Sequence, residues 1–137
     1  MDLTYRPATP GDTELLYHWR REGETADWYG GPKTNRHTHN TWLLQRLGTT
    51  LVRVWIVEAD GVPVGVVRLD SNDELSIEIA PEHRGKGYGP QAIRWACTQA
   101  EGRVKANIDA SNIAARGAFL DAGFQERPDV KFYLWKP

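Results

Sequence analysis

The sequence predicts an α/β domain of the α+β kind, a mixed sheet of about seven strands with four helices on its faces. Three observations lead there. Apolar residues recur at helical spacing early in the chain, the period switches to that of strands from Leu51 onward, and a glycine-rich turn then joins a strand to a helix. Across the 137 residues there is no internal repeat, low-complexity run or linker, so one domain over 1–137 is expected.

Taken in order, Leu3 to Arg6 alternates apolar and polar residues and reads as a first strand ending at Pro7. Thr9-Pro10-Gly11-Asp12 is a turn and helix start with Asp12 as candidate N-cap, and Leu15, Leu16 and Trp19 then mark one face of a helix that fades near Gly23. Asp27 to His37 contains Gly30, Gly31 and Pro32 and reads as a loop. His39 to Leu47 places Trp42, Leu43 and Leu47 at helical spacing, and Gly48 closes it. Val52 to Ala59 and Val62 to Leu69 flank Asp60-Gly61, a two-residue hairpin signal. Glu74 to Ala80 alternates Leu75, Ile77 and Ile79 with Glu74, Ser76 and Glu78, and stops at Pro81. Gly89-Pro90 opens a helix carrying Ile93, Trp95, Ala96 and Cys97, and Val104 to Ile108 is a short strand. Ser111 or Asn112 caps a helix running through Phe119 to Ala122 that Gly123 ends, and Lys131 to Trp135 is a final strand.

Composition bounds the function. Six tryptophans and 40% hydrophobic residues supply a core without metals or disulfides, and the single Cys97, at helical spacing with Ile93, reads as a core thiol. The charges, 17 basic against 18 acidic, leave a net charge of -1, so no nucleic-acid partner is expected. Residues 1–7 lack a basic start followed by an apolar run, and no uncharged apolar stretch reaches membrane-spanning length; a cytoplasmic protein is expected. His18, His37, His39 and His83 have no metal-ligand spacing, so no metal site is expected.

The chemistry is carried by Glu74 to Gly89. After the strand and Pro81-Glu82-His83 comes Arg84-Gly85-Lys86-Gly87-Tyr88-Gly89, then a helix. A glycine-rich turn opening a helix exposes main-chain N–H groups without helical partners, and the helix dipole favours an anion there. The glycines let that backbone approach closely, and Arg84 and Lys86 add positive charge. The turn therefore reads as a phosphate or diphosphate site rather than a plain solvated link. It lacks the G-x-G-x-x-G spacing of dinucleotide folds, and the chain contains no G-x-x-x-x-G-K-[ST] loop.

These residues also match the Q/R-x-x-G-x-G/A signature of the GCN5-related N-acetyltransferase (GNAT) family. Ser76 to His83 resembles that family's central fourth strand, and Asn112 to Phe124 resembles its asparagine-led helix ending in Gly-Phe. The resemblance implies a mostly antiparallel sheet with the fourth and fifth strands splayed, and transfer of an acetyl group from acetyl-coenzyme A to a primary amine by direct attack in a ternary complex. It implies that Arg84, Gly85, Lys86, Gly87, Tyr88 and Gly89 hold the coenzyme pyrophosphate, that exposed backbone of Ile77 to Ile79 pairs with pantetheine, that Asn112 contacts the pantetheine region, and that Arg116 reaches a phosphate.

The acceptor amine must lose a proton, which calls for a carboxylate or histidine near the splay. Glu74 and Glu78 share one strand face and are the candidate bases; the alternative for each is a solvent-facing strand carboxylate. The family's usual general acid is a tyrosine seven residues after the helix asparagine, and that position is Phe119. Tyr88 or Tyr133 could take over, or the thiolate leaves without help. Phe119 also keeps open a catalytically silent acyl-coenzyme A binding module. Trp28 and Tyr29 could line an acceptor pocket or pack beneath their loop. Leu15 to Arg20 and His39 to Leu43 resemble the ribosomal-protein and amino-sugar acetyltransferase branch, which implies a small-molecule amine such as an amino sugar, with protein N-terminal or lysine amines as the alternative. The short chain leaves the acceptor site thinly walled, which admits a homodimer that completes it.

Overall fold

The computed structural model describes residues 2–21, 44, 45, 47, 52–108, 112–126 and 133–135. Its strands fall into two sheets. The first has the order β1 (Leu3–Pro7), β2 (Val52–Ala59), β3 (Val62–Asp70), β4 (Leu75–Ile79), all antiparallel neighbours. In the second, β7 (Tyr133–Trp135) lies between β5 (Lys105–Asn107) and β6 (Gln125–Glu126), again antiparallel. The helices are α1 (Thr13–Arg21), α2 (Tyr88–Cys97) and α3 (Ile113–Asp121). The predicted loop 27–37 lies outside the described residues, with Trp28 and Tyr29, as do residues 39–43 and 46 of the predicted helix 39–47.

Strand period 2 gives the first sheet two faces. Val57, Val67, Leu69 and Leu75 join Ala92 and Ile93 of α2 and Phe119 of α3 in the main core. Ile56, Ala80 and Val66 meet Leu16 and Trp19 of α1 on the opposite face. Each fully buried Leu, Ile or Phe in these layers stabilises the fold by about 1.5–3 kcal/mol. Tyr5 stacks on Trp95 with ring centroids 3.9 Å apart, and Trp55 meets Trp95 edge-on at 5.1 Å, fixing α2 over β1 and β2. Burial pushes the Tyr5 hydroxyl pKa up, against the opposing charge of Arg94. Cys97 is half-buried and packs against this core.

The hairpin between β2 and β3 forms as its Asp-Gly pair predicts, with left-handed φ of 51° at Asp60 and 77° at Gly61. The start of α1 differs from expectation. Pro10–Asp12 forms a 3-10 turn capped at Thr9, and Asp12 works from inside it, accepting from the Thr9 amide at 2.8 Å. The Arg6 guanidinium also grips Asp12 through two bonds of 2.8 and 2.9 Å, which holds the Asp12 carboxyl below the usual carboxylate range. Reciprocal hydrogen bonding from the third turn position competes with N-capping, and here it wins.

Candidate active site

The two sheets touch at one point. Glu74 and Lys105 form an isolated parallel bridge, with the Lys105 amide donating to the Asp73 carbonyl at 3.0 Å. Beyond it β4 and β5 belong to different sheets, so the predicted splay is present.

Which backbone groups face the splay follows from two hydrogen bonds. Ala80 donates to Val64 at 2.9 Å and Asp70 donates to Glu74 at 3.1 Å, so the even positions of β4 spend their main-chain groups on β3. The odd positions, Ile77 and Ile79, turn theirs outward into the splay. Gly65 permits this closeness of β3 and β4, because a Cβ there would sit 2.5 Å from the Glu78 carbonyl oxygen and 2.8 Å from Ile79 Cδ1.

At the carboxyl end of β4, Pro81–His83 makes a 3-10 turn and the chain enters the glycine turn. Gly85 and Gly87 adopt left-handed φ of 77° and 81°, with open space where a Cβ would stand. Gly87 is the N-cap of α2, which begins at Tyr88, one residue before the predicted start. The first N–H groups of α2 point out of the end of the helix toward the turn, and Pro90 has none to offer. Lys86 is exposed, whereas the Tyr88 ring is buried in the main core.

The remaining predicted coenzyme contacts already have protein partners. Arg84 donates from Nε to the Ile79 carbonyl at 3.0 Å, and its amide turns back toward the Pro81 carbonyl at 3.4 Å. Asn112 caps α3, accepting from the Ala115 amide at 3.1 Å through Oδ1, while Ser111 lies outside the described residues. Its side-chain NH2 remains a donor. Arg116 forms an ion pair with Glu126 on the exposed side of α3 and β6.

Glu74 and Glu78 share a face, four residues or about 13 Å apart along the strand, so one reaction centre cannot use both directly. Glu78 is buried to 6% exposure in a cross-strand row with Val66 and Ile56, against the α1 side, so it is not a solvent-facing carboxylate. Glu74 is half-buried at the vertex of the splay. The sequence did not flag what fixes that vertex. Asp70 Oδ1 accepts from the amides of Asn72 and Glu74, and Asp73, at φ 60°, accepts from the Gly102 amide at 2.9 Å. The Asp-Ser-Asn-Asp composition of that turn was the available signal. Phe119 is buried, its ring 4.9 Å from that of Phe124.

Among the described residues no group of three or more His, Cys, Asp or Glu could hold a metal ion, and no helix is long and apolar enough to cross a membrane. Open-edge backbone on β4, left-handed glycines and the start of α2 together fit an extended molecule carrying amides at one end and a diphosphate at the other. The family model of the acetyltransferase (GNAT) domain matches residues 2–125. No curated protein matches. Solved structures similar to the chain include AAC(6')-Ib with ribostamycin and coenzyme A, at 22% identity and TM-score 0.82, covering 99% of this chain and 93% of that one. The complex of AAC(6')-Ib with paromomycin and acetyl-coenzyme A gives 20% identity and TM-score 0.81 over 99% and 93%. Spermidine N-acetyltransferase from Vibrio cholerae with coenzyme A and spermine gives 20% and 0.81 over 98% and 92%.

Proposed function

Because the chain belongs to the GNAT acetyltransferase family, we propose that residues 1–137 work as one domain that transfers the acetyl group of acetyl-coenzyme A to the primary amine of a small molecule. The observation that carries this is the continuity of two surfaces: the outward backbone of Ile77 and Ile79 leads directly into the glycine turn and the first amides of α2. The turn amides and Lys86 receive the diphosphate, and the β4 edge receives the pantetheine amides as an added strand.

An extended pantetheine arm spans roughly four strand residues, about 13 Å, between its phosphate and its sulfur. Counted back from Ile79, that length brings the thioester to the level of Leu75, beside the vertex. Glu74 is therefore the base we assign, accepting the amine proton directly or through one water. Its half-exposed carboxylate is open to an acceptor, whereas that of Glu78 is buried. The coenzyme supplies an activated acyl group. The amine nitrogen bonds to the thioester carbon, an outward amide of β4 steadies the developing oxyanion, and the carbon–sulfur bond breaks. Tyr88 lies in the core, Phe119 has no acidic proton, and the side chain of Tyr133 lies outside the described residues; the proton donor we assign to the departing thiolate is solvent.

Small-molecule amines are bound in the similar structures, which carry aminoglycosides and spermine, and this supports an acceptor of that size over a protein amine. The test is thiol release from acetyl-coenzyme A with a panel of amino sugars, polyamines and peptides. Turnover on a small amine bears the proposal out; saturable binding of acetyl-coenzyme A without turnover on any acceptor would replace it with the silent binding module.

A further inference from the structure

The open edge of β4 is closed off at both ends. At the vertex the Asp73 carbonyl is taken by the Lys105 amide. At the other end the outward carbonyl of Ile79 is taken by Arg84 Nε at 3.0 Å. Arg84 stands at the entry to the glycine turn, so this one bond links the strand edge to the start of the diphosphate loop. Within the turn, Gly85 and Gly87 have no atoms near where a Cβ would lie, and both sit at left-handed φ. A segment of that kind needs an external tie to hold its amides at a fixed distance from Ile77 and Ile79.

We infer that Arg84 is a positioning residue, whose Nε–H holds the glycine turn in register with the β4 edge, rather than a cation that contacts phosphate. This rests on the coenzyme reading above. It has a chemical signature. In arginine, Nε is the fourth heavy atom from Cα; in glutamine, Nε2 stands at the same remove and also donates. Lysine has a methylene there and carries its charge and its N–H donors one bond further out, where they overshoot the Ile79 carbonyl. A tie therefore survives in Arg84→Gln and fails in Arg84→Lys. A phosphate contact by charge does the reverse.

The experiment is calorimetry on the full chain, its R84Q and its R84K variants, with two ligands. One is coenzyme A; the other is 3′-phosphoadenosine 5′-diphosphate, which keeps the diphosphate and lacks the arm that must reach β4. Loss of a hydrogen bond that sets register is expected to weaken coenzyme A binding to R84K about tenfold, with the shorter ligand affected less than about threefold. R84Q is expected to stay within about threefold of the parent for both. Binding of the shorter ligand by R84K also establishes that the variant is folded. Tight coenzyme A binding by R84K with loss in R84Q would overturn the inference in favour of a charge contact. Equal losses for both ligands, or no change in either variant, would overturn it too. If the parent protein binds neither ligand, the coenzyme reading itself falls and takes this inference with it, an outcome separate from the others.

Discussion

The two ends of β4 are built on opposite plans. At its start, the Asp70–Glu74 turn is tied to the protein through backbone and side chains: Asp70 Oδ1 takes two amides, the Asp73 carboxylate takes that of Gly102 and its carbonyl that of Lys105, and Glu74 bridges to β5. At its finish, Ile77 and Ile79 point backbone groups into the splay, and the chain runs on into glycines at left-handed φ. One end is tied into the protein on both sides of the strand, and the other keeps the Ile77 backbone and the Ile79 amide facing outward, with the Ile79 carbonyl taken by Arg84. A transferase benefits from that division, since the reacting carbonyl and its base need a fixed geometry while a long co-substrate needs unfilled donors and acceptors.

The largest effect expected from breaking this division is on turnover. Glu74→Gln at the tied end should lower kcat by about a hundredfold with KM for acetyl-coenzyme A little changed, whereas Glu78→Gln should cost less than about tenfold in kcat. Steady-state kinetics of the pair decide it, and equal losses would remove the assignment of Glu74. Next comes Gly65→Ala. Its methyl overlaps the Glu78 carbonyl and Ile79, so it should destabilise the protein by about 1–3 kcal/mol and raise KM for acetyl-coenzyme A, read by urea unfolding alongside kinetics. Gly87→Ala at the outward-facing end, where φ is 81°, should cost about 1–2 kcal/mol and weaken coenzyme A in calorimetry. Asp73→Ala at the tied end loses the bond from Gly102, for about 1 kcal/mol of stability, and leaves the affinity for coenzyme A near that of the parent.

The smallest effect lies away from β4 and serves as its control. The Asp12 carboxyl has its folded pKa lowered chiefly by Arg6, so its contribution to stability is complete above its unfolded value of about 4 and is lost as pH falls through the folded value. Unfolding midpoints measured at pH 7, 4 and 2.5 should decline over that window, and Asp12→Asn should flatten part of the decline.

Much of this was legible in the residues because it is local. Asp60-Gly61 specifies its turn, the alternation of β4 specifies its two faces, and Gly85 and Gly87 in the turn before α2 adopt the φ only glycine takes freely. What could not be read is what depends on residues far apart in sequence. Burial of Glu78 comes from Ile56 and Val66 on other strands and from α1, while its own strand carries the pattern of a half-solvated one. Arg84 was read by its charge, and only the fold brings its Nε against the Ile79 carbonyl. Asp12 was misplaced by three positions, since a side chain reaching back to Thr9 looks in sequence like a cap reaching forward.

Gly89 carries one more consequence. A Cβ there would stand 3.3 Å from that of Ala118, so the first turn of α2 lies directly on α3. The helix start that offers amides and the helix led by Asn112 are thereby geared together, and neither can slide without dragging the other. If the proposed anion site at the start of α2 holds, its shape is set jointly with that of the helix led by Asn112, because close-packed interiors do not deform one element at a time.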